Sequence, residues 1–193
     1  MHSEKKKILV IAGASGSGKS TIVRYLLKRY ASSFALSVSY TTRTPRENEE
    51  PGREYHFLTK DEFRAKIEEN ELLEYAEYAG NYYGTGDESL KPRRDGKILI
   101  LEIEKKGVES VKKLDIPAVY LYIYADTTQL HKRISARAII SEDELSKRLM
   151  RALEENVYGC SGAFDKVIEN DELNTTLREV DRFIHQEFGI QVV

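Results

Sequence analysis

The stretch GASGSGKS, Gly13 to Ser20, holds the residue types and spacing in this chain that most directly imply chemistry. It matches G-x-x-x-x-G-K-[ST] in full. Glycines in this pattern let the backbone wrap a phosphate closely enough for several amide groups to point at it. A helix starting directly afterwards adds its unsatisfied N-terminal amides and the positive end of its dipole. Lys19 then reaches the β and γ phosphates, and the Ser20 hydroxyl suits a phosphate-bound Mg²⁺. The pattern predicts a nucleoside triphosphate site formed by Gly13, Ala14, Ser15, Gly16, Ser17, Gly18, Lys19, Ser20 and Thr21. A glycine turn made for structure alone needs neither the lysine nor the hydroxyl.

A second stretch, SVSYTTRTPR from Ser37 to Arg46, crowds hydroxyls at Ser37, Ser39, Tyr40, Thr41, Thr42 and Thr44 beside the guanidinium groups of Arg43 and Arg46. Donors this dense are suited to an oxygen-rich anion. Arg43 and Arg46, three residues apart, fit a grip on one phosphate from two sides, with Tyr55 and Tyr83 as additional phenolic donors. Two loop arginines taken alone also fit plain surface charge. LLEYAEYAGNYYGT, Leu72 to Thr85, extends the pattern. A guanine base presents N1 and N2 hydrogens beside O6 and N7 acceptors, so a pocket for it calls for one carboxylate and one or two hydroxyls. Glu74 offers the carboxylate; Ser39 and Thr85 offer the hydroxyls.

Elements must exist to hold these groups. Ile8 to Ala12 is short, apolar and closed by glycine, which predicts a buried strand ahead of the glycine loop. Ile22, Val23, Leu26 and Leu27 place one apolar face on a helix from about Ser20 to Tyr30, closed by Lys28 and Arg29 at the favourable dipole end. Ile98–Ile103 and Ala118–Tyr124 predict two more buried strands, and Phe164–Ile168 a weaker one. Helical spacing fills Lys105–Lys113, Thr128–Asn156 and a final helix near Glu172–Phe188. Strands alternating with helices predict an α/β fold, a parallel sheet covered by helices on both faces. Residues 37–87 break that rhythm and hold six of the twelve tyrosines. They read as a small mixed insertion within a single domain spanning 1–193.

With 193 residues, 40% apolar and 32% charged, the chain predicts one folded, heavily charged domain. A net charge of -2 gives no overall attraction to nucleic acid or an anionic membrane, and neither is expected as a partner. Lys5 to Lys7 lead into a strand rather than a signal-peptide core, and no window approaches the ~18 apolar residues of a membrane span. The single cysteine, Cys160, has no internal disulfide partner, which fits a reducing, cytoplasmic setting. The four histidines lack metal-ligand spacing.

Taken together, the glycine loop, SVSYTTRTPR and GNYYGT stand in an order that resembles the guanylate kinases, and the similarity runs from the loop to the IENDEL stretch at Ile168. The resemblance implies a core of 1–36, 88–126 and 158–193, a GMP-binding insertion at 37–87 and a helical lid at 127–157. It implies that Arg43, Arg46, Tyr55 and Tyr83 bind the acceptor phosphate, and that Ser39, Glu74 and Thr85 read the guanine. LHKRISAR and SKRL resemble the lid, implying that Arg133, Arg137 and Arg148 close over the transferring group and that Lys19, Arg43, Arg137 and Arg148 serve catalysis. Asn170 matches a position near the adenine. Where the family has an Asp-x-Asp strand end, this chain has Glu102 and Glu104, each one methylene longer. The match implies that Glu102 meets the metal through water and that Glu104 contacts the acceptor nucleoside. Lys106 replaces a common glutamine, and Ala125-Asp126 and Ala138 replace a proline pair and a glycine near the lid.

These expectations add up to an ATP:GMP phosphotransferase, a monomer using Mg²⁺ and closing around both nucleotides. Two alternatives remain open from sequence. One is a non-catalytic interaction module of the same fold holding a phosphorylated peptide, which has no use for Lys19, Ser20 and the lid arginines. The other is a kinase for another nucleoside monophosphate, against which Glu74 argues: its carboxylate would face an acceptor on the edge of adenine or uracil.

Overall fold

ILVIAG can be apolar at every position because both faces of the strand it forms are covered. In the computed structural model, which describes residues 7–45, 49–52, 55–78, 80–86, 96–113, 117–136 and 141–190, Ile8–Gly13 is that strand, β1. It leads through the glycine loop into α1 (Lys19–Arg29), followed by the short strand β2 (Phe34–Leu36). A second group of elements comes next: β3 (Ser39–Thr41), β4 (Tyr55–Phe57), α2 (Lys60–Glu68), β5 (Leu72–Tyr78) and β6 (Asn81–Gly86). The chain then returns with β7 (Ile98–Glu102), α3 (Lys105–Lys113) and β8 (Val119–Tyr124). It finishes with α4 (Thr127–Ser135), α5 (Glu142–Gly159), β9 (Lys166–Glu169) and α6 (Leu173–Phe188).

Among the described residues the main sheet has five strands in the order β2-β7-β1-β8-β9, and every pairing is parallel. Its alternate residues go to opposite faces. Leu9 and Ile11 join Ile22, Val23 and Leu26 of α1 and Val180, Phe183 and Ile184 of α6 on one face. Ile8, Val10 and Ala12 join Val108 and Val111 of α3 and Tyr122 on the other. Fully burying each such aliphatic side chain contributes about 1.5–3 kcal/mol, so the sandwiched sheet is a firmly packed base from which the glycine loop leaves β1.

The second sheet is mixed, in the order β4-β3-β6-β5: β3 runs parallel to β4 and antiparallel to β6, and β6 antiparallel to β5. Its pairing slips between Leu72 and Glu74, an irregularity of the kind that re-aims a side chain. Phe63 of α2 is fully buried and stacks on Tyr82, which fixes the helix to the sheet.

Differences from expectation are local. The edge strand β2 carries no pattern of its own; three residues, FAL, pair with Ile98–Ile100 of β7. The helical run predicted over Thr128–Asn156 contains two helices, the second starting at a Ser141 cap whose side chain accepts from the Glu144 amide. The last strand begins at Lys166 rather than Phe164, and the Phe164 ring packs on Tyr122 and Tyr158 instead.

Candidate functional site

The start of α1 has no side-chain cap. Helices α2, α4, α5 and α6 each donate a first-turn amide hydrogen to an N-cap side chain, Thr59, Asp126, Ser141 and Glu172. Before α1 stands Gly18, at φ 97, with no side-chain cap. Its first-turn amides face the loop, where an anion can satisfy them. Space there is tight: a Cβ on Gly18 would lie 2.2 Å from Asn170 Nδ2, and one on Gly13 2.4 Å from the Ile123 carbonyl oxygen and 2.6 Å from Ser17 Oγ. Glycine at both positions is a steric demand of the fold.

Three groups hold this loop from outside and three look inward. Asn170 Nδ2 donates to the Ser17 carbonyl at 2.7 Å, and its Oδ1 accepts from Thr176 Oγ1 at 3.2 Å. Arg133 donates to the Asn170 carbonyl at 2.7 Å and to the Ser17 carbonyl at 3.4 Å. Ala14 is buried against Leu130, Ile134 and Ala152, so α4 and α5 support the loop. On the inward side, Lys19 Nζ donates to the Gly13 and Ala14 carbonyls. Ser17 Oγ is buried with no hydrogen-bond partner among the described residues, and the Ser15 amide donates to Glu155 Oε2 at 3.2 Å.

The second sheet and its neighbouring loop gather most of the residues expected to bind the acceptor, Ser39, Arg43, Tyr55, Glu74, Tyr83 and Thr85. Arg43 makes a two-pronged pair with Glu49, at 2.9 and 3.0 Å, and its guanidinium lies 5.4 Å from the Tyr55 ring centre and 5.8 Å from that of Phe57. Tyr83 packs edge-on against Tyr55, with ring centres 6.1 Å apart. Burial, reinforced by the negative charge of Glu102, pushes the Tyr55 phenol up to about 12. It is therefore a neutral donor at physiological pH. Glu74 pairs with Thr85 across β5 and β6 and is 6% exposed. Burial raises its carboxyl, while hydrogen bonds from the Thr85 side chain and backbone pull the other way. Thr85 Oγ1 is 3.4 Å from Ser39 Oγ, so one carboxylate and two hydroxyls stand together. A Cβ on Gly107 would come within 2.8 Å of Glu74 Oε2, which seats the carboxylate over the first turn of α3.

Glu102 joins the two sides. It accepts from Ser20 Oγ at 2.7 Å at the end of the glycine loop, and its charge is felt by Tyr55 in the second sheet. Ser20 and Glu102 provide a hydroxyl and a carboxylate already in contact, hard oxygen donors that fit Mg²⁺, which takes few protein ligands and fills its shell with water and phosphate oxygens. Glu104 lies in the field of Glu155, Lys19 and Arg151.

The remaining sequence candidates lie elsewhere. Arg148 pairs with Glu144 one turn back on α5, and Arg133 and Asn170 spend their donors on backbone carbonyls under the loop. Arg46 and Arg137 fall outside the described residues. Two groups at the site escape sequence reasoning: Glu49, the partner of Arg43, and Glu155, the partner of the Ser15 amide. Glu49 sits in a run of polar residues and Glu155 in ALEEN, where helical spacing alone does not tell the inward glutamate from its exposed neighbour Glu154.

The family model described as guanylate kinase matches residues 5–187. A guanylate kinase of Synechocystis sp. is 40% identical over 187 residues, covering 96% of each chain. One from Sus scrofa is 35% identical over 169 residues, covering 86% of this chain and 85% of its own. The crystal structure of guanylate kinase from Anaplasma phagocytophilum superposes with a TM-score of 0.75 at 25% identity, over 98% of this chain and 90% of that one.

Proposed function

The chain belongs to the guanylate kinase family, and from that premise we infer that it transfers the γ-phosphoryl group of ATP to GMP, and to dGMP, giving ADP and GDP or dGDP. The observation that carries the reading is the hydrogen bond from Ser20 at the glycine loop to Glu102, a carboxylate whose charge also bears on Tyr55, the ring against which Arg43 lies.

In this reading an oxygen of the GMP phosphate attacks the γ phosphorus in line, and the bond from that phosphorus to the bridging oxygen of ADP breaks. The transition state is loose, so the protein contributes position and charge rather than covalent chemistry. Loop amides and Lys19 hold the donor phosphates, and Lys19 carries positive charge toward the group in transit. Arg43, Tyr55 and Tyr83, with Arg46, orient the acceptor phosphate, which ionises a second time near pH 6 and needs no general base at neutral pH. Glu74, Ser39 and Thr85 select guanine, whose N1 and N2 hydrogens match a carboxylate as an adenine edge does not. Ser20, and Glu102 through water, would hold Mg²⁺, which would supply charge neutralisation at the donor phosphates. Arg133, Arg137 and Arg148 belong to a lid, 127–157, that closes with the 37–87 insertion over the core and keeps water from the phosphoryl group. Among the described residues no helix is long and apolar enough to cross a membrane. A monomer in the cytoplasm is the setting proposed.

A coupled assay of ADP formation with ATP and GMP, dGMP, AMP, CMP or UMP in turn tests the assignment. Turnover with GMP and dGMP only, lost in Lys19→Ala, is expected. ADP formation that does not depend on GMP, or none with any monophosphate, rejects it.

A further inference from the structure

The Ser15 amide belongs to the glycine loop, yet its hydrogen goes to a carboxylate of the chain itself, 140 residues away on α5. Glu155 is held there by the fold. The adjoining residue, Asn156, is buried, accepts from the Tyr122 hydroxyl at 3.0 Å and donates to the Ala125 carbonyl at 2.9 Å. One turn on, α5 crosses β8 so closely that a Cβ on Gly159 would meet the Tyr122 ring at 2.3 Å. These contacts fix the backbone of α5 against β8 and bring the half-buried Glu155 over the loop.

Lys19 completes the arrangement. Its ammonium lies in the field of the Glu155 carboxylate, while its hydrogens go to the Gly13 and Ala14 carbonyls. Ser17 Oγ, inside the same loop, is buried with no hydrogen-bond partner among the described residues. An oxyanion on a loop amide, beside the loop lysine, makes the pair of interactions that a phosphate oxygen makes in such a loop. Burial works against the ionised form of Glu155, and the positive charge of Lys19 and the Ser15 amide work for it.

We propose that Glu155 is a positioning residue that stands in for a phosphate oxygen at the Ser15 amide, keeping the loop shaped for phosphate and competing with the donor nucleotide for that amide and for Lys19. The inference rests on the glycine loop being the donor site. Two anions cannot share one amide and one lysine, so donor binding must displace or neutralise this carboxylate, and part of the donor affinity is lost to that exchange. GMP, bound on the second sheet, meets no such competitor at this amide.

Glu155→Gln keeps the shape and an acceptor oxygen and removes the charge. Calorimetric titration with ADP, with a non-hydrolysable ATP analogue and with GMP, at about 0.05 M and about 0.5 M salt, reads the consequence. Donor-nucleotide Kd is expected to fall about fivefold in the variant at low salt, and the gain to shrink at high salt. GMP Kd should stay within about twofold, and Glu155→Ala should behave as Glu155→Gln does. A purely structural role would leave donor binding unchanged or weaker and would give no salt-dependent gain. Donor binding unchanged or weaker in both variants overturns the proposal. Lys19→Ala serves as the control for the donor-site premise. If it binds donor as the wild type does, the premise itself fails; if it is defective while the Glu155 variants show no gain, only the Glu155 inference falls.

Discussion

The glycine loop and the second sheet, proposed to hold the donor and the acceptor phosphate, are built from different parts of the polypeptide. The loop works through backbone: glycines at 13 and 18 where a Cβ would collide, an uncapped helix start, and one lysine. The second sheet offers side chains, with Arg43 held by Glu49 and packed on Tyr55 and Phe57, and Glu74 standing at a strand irregularity. A backbone site is shaped before its ligand comes and admits any nucleotide phosphate, whereas a side-chain site is selective at the cost of holding polar groups in place until the ligand arrives. If this contrast is right, mutations on the two sides should separate in which substrate they affect.

The largest effect is expected for Lys19→Ala, which removes the only side chain through which the loop is proposed to place positive charge on the transferring group. A kcat decrease of about 10³-fold, with GMP Kd close to wild type, is expected from steady-state rates and calorimetry. Loss of GMP binding as well would show that the two sites are not separable. Next comes Arg43→Ala, for which kcat/KM for GMP should fall about 10²-fold while donor Kd holds. Arg43→Lys should recover little, because the ammonium lacks the planar fork that now grips both oxygens of Glu49. Full rescue by lysine would mean that charge alone, and no geometry, serves the acceptor.

The same contrast explains what could be read in the sequence. The loop and β1 are legible because their determinants are contiguous: a strand buried on both faces, glycines, lysine, then a helix. Strands β7 and β8 are legible for the same reason. β2 is not, because its three residues are a strand only by virtue of β7, more than sixty positions along the chain. Residues 37–87 show their chemistry through tyrosines, arginines and Glu74, but the order β4-β3-β6-β5 depends on pairings that no local pattern encodes. Glu155 is the clearest case. Glu154 and Glu155 are the same residue type in one helix, and what turns the second toward the loop is the crossing of α5 over β8 at Gly159 and Asn156.

Glu74→Gln sharpens the comparison through pH. Burial raises the Glu74 carboxyl above its ordinary range, so as pH falls this group takes up its proton earlier than a solvated glutamate does. Once protonated it can no longer accept from both guanine N1 and N2. The wild-type KM for GMP should therefore rise as pH drops through that raised value, with donor KM unaffected by this step. In Glu74→Gln the KM for GMP should be roughly 30-fold higher near neutrality, and the part of its pH dependence owed to Glu74 should vanish. The remainder, shared by both proteins, belongs to the GMP phosphate, whose second ionisation lies near pH 6. An unchanged profile in the variant would take Glu74 out of guanine recognition.

The smallest effect is expected for Ser39→Ala. The Ser39 hydroxyl meets Thr85 Oγ1 at 3.4 Å, a long contact, while the fully buried Thr85 also serves Glu74. Removing Ser39 Oγ leaves the Glu74–Thr85 pair intact and costs one neutral hydrogen bond to the base, about 1 kcal/mol or about fivefold in KM for GMP. Thr85→Ala should cost more, because it also strips a donor from the buried Glu74 carboxylate. The order of the three variants in KM for GMP is then Glu74→Gln above Thr85→Ala above Ser39→Ala, with donor KM level throughout. Should Ser39→Ala match Glu74→Gln, guanine would be read by a shared hydroxyl network rather than by one buried carboxylate. The acceptor side would then resemble the donor loop, many weak donors acting together, more than the side-chain grip that Arg43 and Glu74 suggest.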